Sequence, residues 1–502
     1  MVVFKDYSQN QLMLLPPSLE ELIKPNHPVR VVNEIINRIN ADKLIKQYAG
    51  GGTSSYHPRM LLKVLIYSYL CNIYSSRRME DVLKENIHFM WLSAMNRPDH
   101  NTLNRFRSDR LKDVLKEIFA QVVKLLVESG HVSLQEVYID GTKIESRANR
   151  YTFVWGNSIK TNKAKMSVQL QQLWDYTQSV AKEELENTED IDFKKIDTQK
   201  VKQTISQIDA ALNGKKIDKK VKQKLNYARK CWPENLQKYE QQEKILGKRK
   251  SFSKTDPDAT FMRMKEDHMK NGQLKPGYNL QISTNNQYIV NYSLHQNPTD
   301  TTTLESHVES FKGLYNHLPE AVVADAGYGS EENYTIMQNA EIHAYIKYNY
   351  FDKDQRKRKN TLNDNLFYDE AKDCYYCPMG QKMSFIGTRK RITENGFKQT
   401  LSMYQAINCS GCPLRGQCHK SKENKIMEVN HNLNQLKAQA TKLLKSEKGL
   451  YYRKRRGVDV EPVFANIKYN KGFKRFLLKG LSKTAIETGL LALAHNFAKR
   501  CA

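Results

Sequence analysis

The strongest constraint in this chain is a run of four apolar residues, Ala321-Val322-Val323-Ala324, that leads straight into Asp325-Ala326-Gly327-Tyr328-Gly329. A short apolar run without polar alternation suits a strand covered on both faces. It predicts a buried sheet that delivers an acid into the glycine-rich turn at its end. An earlier stretch, Glu136-Val137-Tyr138-Ile139-Asp140-Gly141-Thr142-Lys143-Ile144, is rich in Val, Tyr and Ile and reads as a strand that ends or bends at Asp140-Gly141. Between them, 277–284 and 288–294 flank Asn285-Asn286 and read as a hairpin, a helix follows from about Thr301 to Leu314, and 343–347 adds another strand. The expected class is α+β or α/β with a mixed sheet, each of two strands carrying an aspartate.

A third acid is placed by a proline. Proline fits the first turn of a helix, where its missing N–H costs nothing, so Pro462 puts Glu461 at a helix start. Lys468, seven residues on, falls about 20° around a helix of ~3.6 residues per turn. One face then offers a carboxylate for a cation and an ammonium for a phosphate, although for this stretch alone a solvated charge pattern is the commoner explanation. Singly, each aspartate also reads as a turn residue. Jointly, three carboxylates would repel one another unless cations lay among them, and oxygen-only ligands suit Mg²⁺, which as a pair clamps the attacking and leaving oxygens of phosphoryl transfer.

The 502 residues include 80 Lys+Arg against 54 Asp+Glu, a formal +26, which favours nucleic acid as partner. No apolar run approaches the ~18 residues of a membrane span, and no signal-peptide pattern opens the chain. Five of the eight cysteines cluster between 374 and 418, so a reducing, cytoplasmic setting and a metal site are expected in place of a disulfide framework. Cys374, Cys377, Cys409, Cys412 and Cys418 offer one thiolate more than a tetrahedral zinc site takes, and either Cys374 or Cys418 could be the spare.

The remaining segments read as helices. In 1–130, Pro16-Pro17 stops the opening segment, Ser18 and Glu21 form a capping box, Gly50–Gly52 makes a break, and 60–73 is a buried helix. A short helix capped by Asn101 carries Arg105 and Arg107 ahead of an amphipathic run, Leu111 to Glu128. This is similar to a helix-turn-helix, and a plain bundle with surface arginines fits as well. In 158–250, Val201, Ile205, Ile208 and Leu212, then Ile217, Val221, Leu225 and Ala228 after Gly214, suggest an antiparallel helical hairpin. The final helix, Ser482 to Lys499, is expected to be capped, with Glu487 on its surface.

Tyr138-Ile139-Asp140-Gly141-Thr142-Lys143, Ser253–Ala259, Gly277-Tyr278-Asn279-Leu280-Gln281, Ala324–Tyr328 and Val460–Phe464 resemble the motifs of bacterial insertion-sequence transposases of the DDE class. The resemblance implies a ribonuclease-H-like core at 131–157 and 251–350, completed by C-terminal catalytic helices at 431–502. It adds an N-terminal helical DNA-binding domain at 1–130, the helical hairpin insertion at 158–250 and a zinc-ribbon-like insert at 351–430. It implies Asp140, Asp325 and Glu461 as catalytic triad and ligands of two Mg²⁺ or Mn²⁺ ions, and a signature of Tyr452, Arg456, Glu461 and Lys468 that handles DNA. Arg455 rivals Arg456, since the spacing is one residue longer than in the commonest form. The implied activity is strand cleavage and strand transfer on double-stranded DNA, with element terminal inverted repeats and target DNA as partners, one structural Zn²⁺, a homodimer in the DNA complex, and a nucleoid-associated location. A metal-dependent nuclease or a non-catalytic DNA-binding relative are the alternatives.

Overall fold

The computed structural model describes residues 18–48, 55–181, 193, 196–264, 272–355 and 366–502; the Pro16-Pro17 stop and the Gly50–Gly52 break lie outside them. At the centre of a six-stranded mixed sheet runs the strand Glu136–Glu145. On one side it pairs antiparallel with Leu274–Asn285, which pairs in turn with Tyr288–His295 and Thr260–Arg263. On the other side it runs parallel to Ala321–Ala324, itself parallel to His343–Ile346. Antiparallel strands followed by two parallel ones are consistent with a ribonuclease-H-like core. The apolar run 321–324 is buried throughout, as its lack of alternation requires.

The central strand does not end at Asp140-Gly141. Its ladder continues to Glu145 opposite Gly277, and Gly141 serves close approach: a Cβ there would lie 2.2 Å from Gln281 Nε2 and 2.6 Å from Asp300 Oδ1. The hairpin turn is made by Asn286 and Gln287, with φ of 51° and 63°, one residue later than expected. Asn285 stays in its strand because its amide donates to Glu136 O at 3.1 Å and accepts from Ser133 N at 2.8 Å.

Helices Pro28–Arg38, Pro58–Leu70, Ser76–Glu85 and Leu115–Glu128 share one apolar core with the sheet and the last helix, Leu481–Cys501. Several helix starts differ from the sequence reading. Ser18 and Glu21 form only a hydrogen-bonded turn, and the first described helix is capped by the His27 ring. The short helix His100–Arg105 takes Asp99 as its cap, at 2.8 Å from Thr102 N, in place of Asn101. Gly480 precedes the last helix and offers no side chain, so Asp258 Oδ2 accepts from Leu481 N at 2.8 Å from 223 residues away. Asp256 beside it accepts from Tyr278 and Gly480, so the Ser253–Ala259 motif ties the last helix to the sheet.

The segment expected as a hairpin holds three helices, Gly156–Val180, Thr198–Ala211 and Lys219–Leu246, around Leu170, Trp174, Val201, Ile208, Trp232 and Leu236. The cysteine-rich segment holds a five-stranded antiparallel sheet, Phe367–Asp369, Cys374–Tyr376, Lys382–Ile392, Lys398–Ala406 and Ile426–Val429.

Candidate functional site

Register brings the two aspartates level. The parallel pairing keeps an offset of 185 residues from Glu136 with Ala321 to Tyr138 with Val323, and Asp325 follows Asp140 by the same 185. Helix Glu447–Asp459 then crosses the sheet. Tyr452 packs its ring 4.7 Å from that of Tyr345 and 6.3 Å from that of Tyr138. Two turns later Asp459, 1% exposed, accepts from Thr284 Oγ1 at 2.7 Å and Gln287 N at 3.1 Å. That anchor fixes where the next helix, Glu461–Ala465, begins, with Pro462 in its first turn as the sequence predicts.

Arg456 lies where these elements meet. Its Nη2 is 3.1 Å from Asp140 and 3.9 Å from Asp325, and its Nη1 is 3.4 Å from Glu461. One guanidinium thus bridges all three acids. Arg455, next along the helix, points elsewhere: it donates to Asn286 Oδ1 at 2.6 Å and lies 3.8 Å from Asp459. Lys468 is buried in a widened turn, Asn466–Asn470, whose i to i+5 bonding departs from the regular helix assumed for its angle to Glu461.

Two neighbours of the triad were missed in the sequence. Asp300, at the foot of the helix Leu304–Tyr315, accepts at Oδ1 from Asn279 Nδ2 and Gln281 Nε2, both at 2.8 Å. Tyr328, whose hydroxyl donates to Gln281, has its phenol pushed well above the usual range by burial first and then by Asp300, Asp140 and Asp325, while Arg456 opposes them. The signal for Asp300 was the Asn279-Leu280-Gln281 spacing, which sets two amides on one face of a strand.

Other expected residues are placed differently. Arg107 is 3% exposed and donates to Tyr74 O at 2.8 Å, Asn104 Oδ1 at 3.1 Å and Tyr69 Oη at 3.3 Å, so it is a core residue and not a phosphate contact. Arg105 is exposed. Glu487 is not a surface residue: fully buried, it accepts from Leu477 N at 3.0 Å, Leu478 N at 2.8 Å and Tyr69, and burial raises its pKa.

Cys377, Cys409, Cys412 and Cys418 line one small cavity of about 30 Å³ together with His419 and Lys425, whereas Cys374 is buried elsewhere in its strand. Lys425 donates from its backbone N to Cys409 Sγ at 3.4 Å and from Nζ to Cys418 Sγ at 3.3 Å, and both ring nitrogens of His419 are buried without a hydrogen-bond partner. Among the described residues, no group of three or more His, Cys, Asp or Glu side chains is gathered closely enough to hold a metal ion as it stands. The donor types are those that Mg²⁺ and Zn²⁺ take: carboxylate oxygens beside the Arg456 guanidinium at the triad, cysteine sulfurs and an orphaned imidazole around the cavity. Among the described residues no helix is long and apolar enough to cross a membrane.

Two known families match parts of the chain. The family described as Transposase DDE domain matches residues 376–501, which include Glu461, and the Transposase domain (DUF772) family matches residues 17–109. No curated protein matches the chain. Asp140 and Asp325 lie outside both matched segments and join Glu461 through the sheet register and Arg456. Matches to two transposase families, one towards each end of a mixed-sheet core, support an insertion-sequence transposase of the DDE class.

Proposed function

We propose that this transposase binds the terminal inverted repeats of its element, cleaves a strand there and joins the freed 3′-hydroxyl to target DNA. Asp140, Asp325 and Glu461 are the acids that would hold two Mg²⁺ or Mn²⁺ ions, and what supports this is the bridging of all three by the Arg456 guanidinium. Divalent ions, when bound, supply Lewis-acid stabilisation of the attacking and leaving oxygens. The chain's own residues orient the reaction. Asp325 and Glu461, with side chains 40% and 60% exposed, face the side from which DNA arrives, while Asp140, 10% exposed, is the fixed floor. Arg456, once released from the carboxylates, and Lys468 are the cations for phosphate oxygens.

The other parts follow this reading. Residues 1–130 carry phosphate contacts such as Arg105, 131–157, 251–350 and 431–502 build the catalytic core, 158–250 is a helical insertion, and 351–430 is a zinc-ribbon-like insert. Its zinc ligands are Cys377, Cys409, Cys412 and Cys418, which share one cavity, with Cys374 left out. Two copies act together on paired ends, at the nucleoid.

The test is incubation of purified full-length protein with labelled element ends, a target duplex and Mg²⁺. Joined products support the reading. Cleavage without joining marks a nuclease, and binding alone marks a non-catalytic relative; either result overturns it.

A further inference from the structure

The strands Lys382–Ile392 and Lys398–Ala406 pair with each other from Met383 with Ala406 out to Ile392 with Lys398. Their neighbours cover only the inner part: Cys374–Tyr376 reaches Lys382–Ser384, and Ile426–Val429 reaches Ser402–Gln405. Beyond that the pair projects as a two-stranded ribbon. Thr388, Arg389, Lys390, Arg391 and Ile392 are all exposed. Since successive side chains of a strand point to opposite faces, five exposed residues in a row mean that both faces are uncovered. A bare two-stranded hairpin is marginal in water, and this one ends with Ile392 at 65% exposure.

Its charge is one-sided. Between residues 387 and 399 stand Arg389, Lys390, Arg391 and Lys398 against Glu394 alone. Glu394 is spent on Lys250 at 3.4 Å and Arg389 on Glu428 at 2.8 Å, so Lys390, Arg391 and Lys398 set the sign of the surface.

The ribbon is also held in a fixed place. Glu331, 4% exposed, accepts from Gln399 Nε2 at 2.8 Å, Asn430 Nδ2 at 2.5 Å and Asn432 Nδ2 at 2.7 Å, while Thr393 Oγ1 donates to Glu332 at 3.3 Å. A buried carboxylate with three amide donors is a strong clamp. Glu331 opens the helix that follows Asp325 by six residues, so the clamp ties the ribbon to the element next to the triad.

We infer that this ribbon is a DNA arm that lies against the duplex flanking the cleaved phosphate, with Lys390, Arg391 and Lys398 on phosphates. The inference rests on the transposase reading above. A two-stranded ribbon has the size that a major groove of ~12 Å admits, and its charge complements the backbone.

The experiment uses full-length protein with Lys390→Ala, Arg391→Ala and Lys398→Ala combined. Binding to a labelled duplex carrying the element end is followed by anisotropy at several salt concentrations, with hydroxyl-radical footprinting alongside. Each lost phosphate contact flattens the log–log salt slope by ~0.9, so the triple variant should be shallower by roughly 2–3. It should also lose protection beside the cleavage site while melting like the wild type, since all three residues are exposed. A folded variant with the wild-type slope and footprint overturns the assignment, as does one that loses only self-association. If the wild type cleaves and the variant is unchanged, the ribbon alone is refuted; if the wild type binds no duplex, both readings fall.

Discussion

Arg456→Ala removes the guanidinium that lies 3.1 Å from Asp140, 3.4 Å from Glu461 and 3.9 Å from Asp325. These contacts differ in strength. The Asp140 pair is shielded, with side-chain exposures of 17% and 10%, whereas the Asp325 and Glu461 side chains are 40% and 60% exposed. The two exposed pairs, at 3.4 and 3.9 Å, together contribute about 0–1 kcal/mol, and the shielded pair about 2 kcal/mol after desolvation, so the guanidinium holds its place by ~2–3 kcal/mol. A divalent cation that seeks the same carboxylates must displace it. At ~1.4 kcal/mol per tenfold, the variant should bind Mn²⁺ about 30- to 100-fold more tightly than the wild type. Titration of the metal-free proteins without DNA, with free Mn²⁺ followed by electron paramagnetic resonance, reads this directly. Strand cleavage should fall in the same variant, because a phosphate contact is lost. Mn²⁺ affinity equal to or weaker than that of the wild type would refute the idea that guanidinium and metal compete for one place.

Three further outcomes follow. Cys409→Ser should release the zinc that elemental analysis finds in the wild type, whereas Cys374→Ser should keep it, since Cys374 does not line the shared cavity; equal loss from both would contradict the ligand set. Glu487→Leu should lower stability by about 3 kcal/mol, because it strips two backbone N–H groups and the Tyr69 hydroxyl of their acceptor; a change within about 0.5 kcal/mol, as for a surface site, would count against its burial. His495 is held neutral between Asn466 and Gln287, and burial pulls its pKa from 6.5 to about 4. The unfolded chain then takes the proton first, so this share of stability is present above pH 6.5 and is lost as pH falls from there towards 4. Over that window the melting temperature of the wild type should drop more than that of His495→Gln, and parallel curves would sink the assignment.

What could be read in the sequence was local. The run 321–324 and the Val, Tyr and Ile of 136–144 announce strands through their own side chains, and Pro462 announces a helix start through its own ring, so Asp325 could be set at a strand's end and Glu461 at a helix start, while Asp140, read as a strand end, lies within its strand. That the acids meet is a matter of register and of Arg456, which no local pattern encodes. Arg455 and Arg456 are indistinguishable in composition, yet one residue is about 100° of helix, enough to send one to Asn286 and the other to the triad. Arg107 and Glu487 read as surface charges because charged residues usually are; their burial depends on meeting at the Tyr69 hydroxyl across 380 residues of sequence. The helix Gly156–Val180 escaped notice because its stripe of Ile159, Met166, Leu170, Leu173 and Trp174 is diluted by Lys and Gln. Caps were the least legible feature. Asp99 stands two residues before the Asn101 expected, and Asp258 caps a helix 223 residues away.

The central claim is that Asp140, Asp325 and Glu461 are one catalytic unit. Single-turnover cleavage of a labelled element end in Mg²⁺ by Asp140→Asn, Asp325→Asn, Glu461→Gln and the Asp140→Asn with Glu461→Gln double variant, with DNA binding measured in parallel, tests it most directly. Groups that act as a unit are lost together, so each single variant should bind DNA normally yet cleave no better than the double variant. A Glu461→Gln protein that still cleaves at near the wild-type rate would contradict the claim.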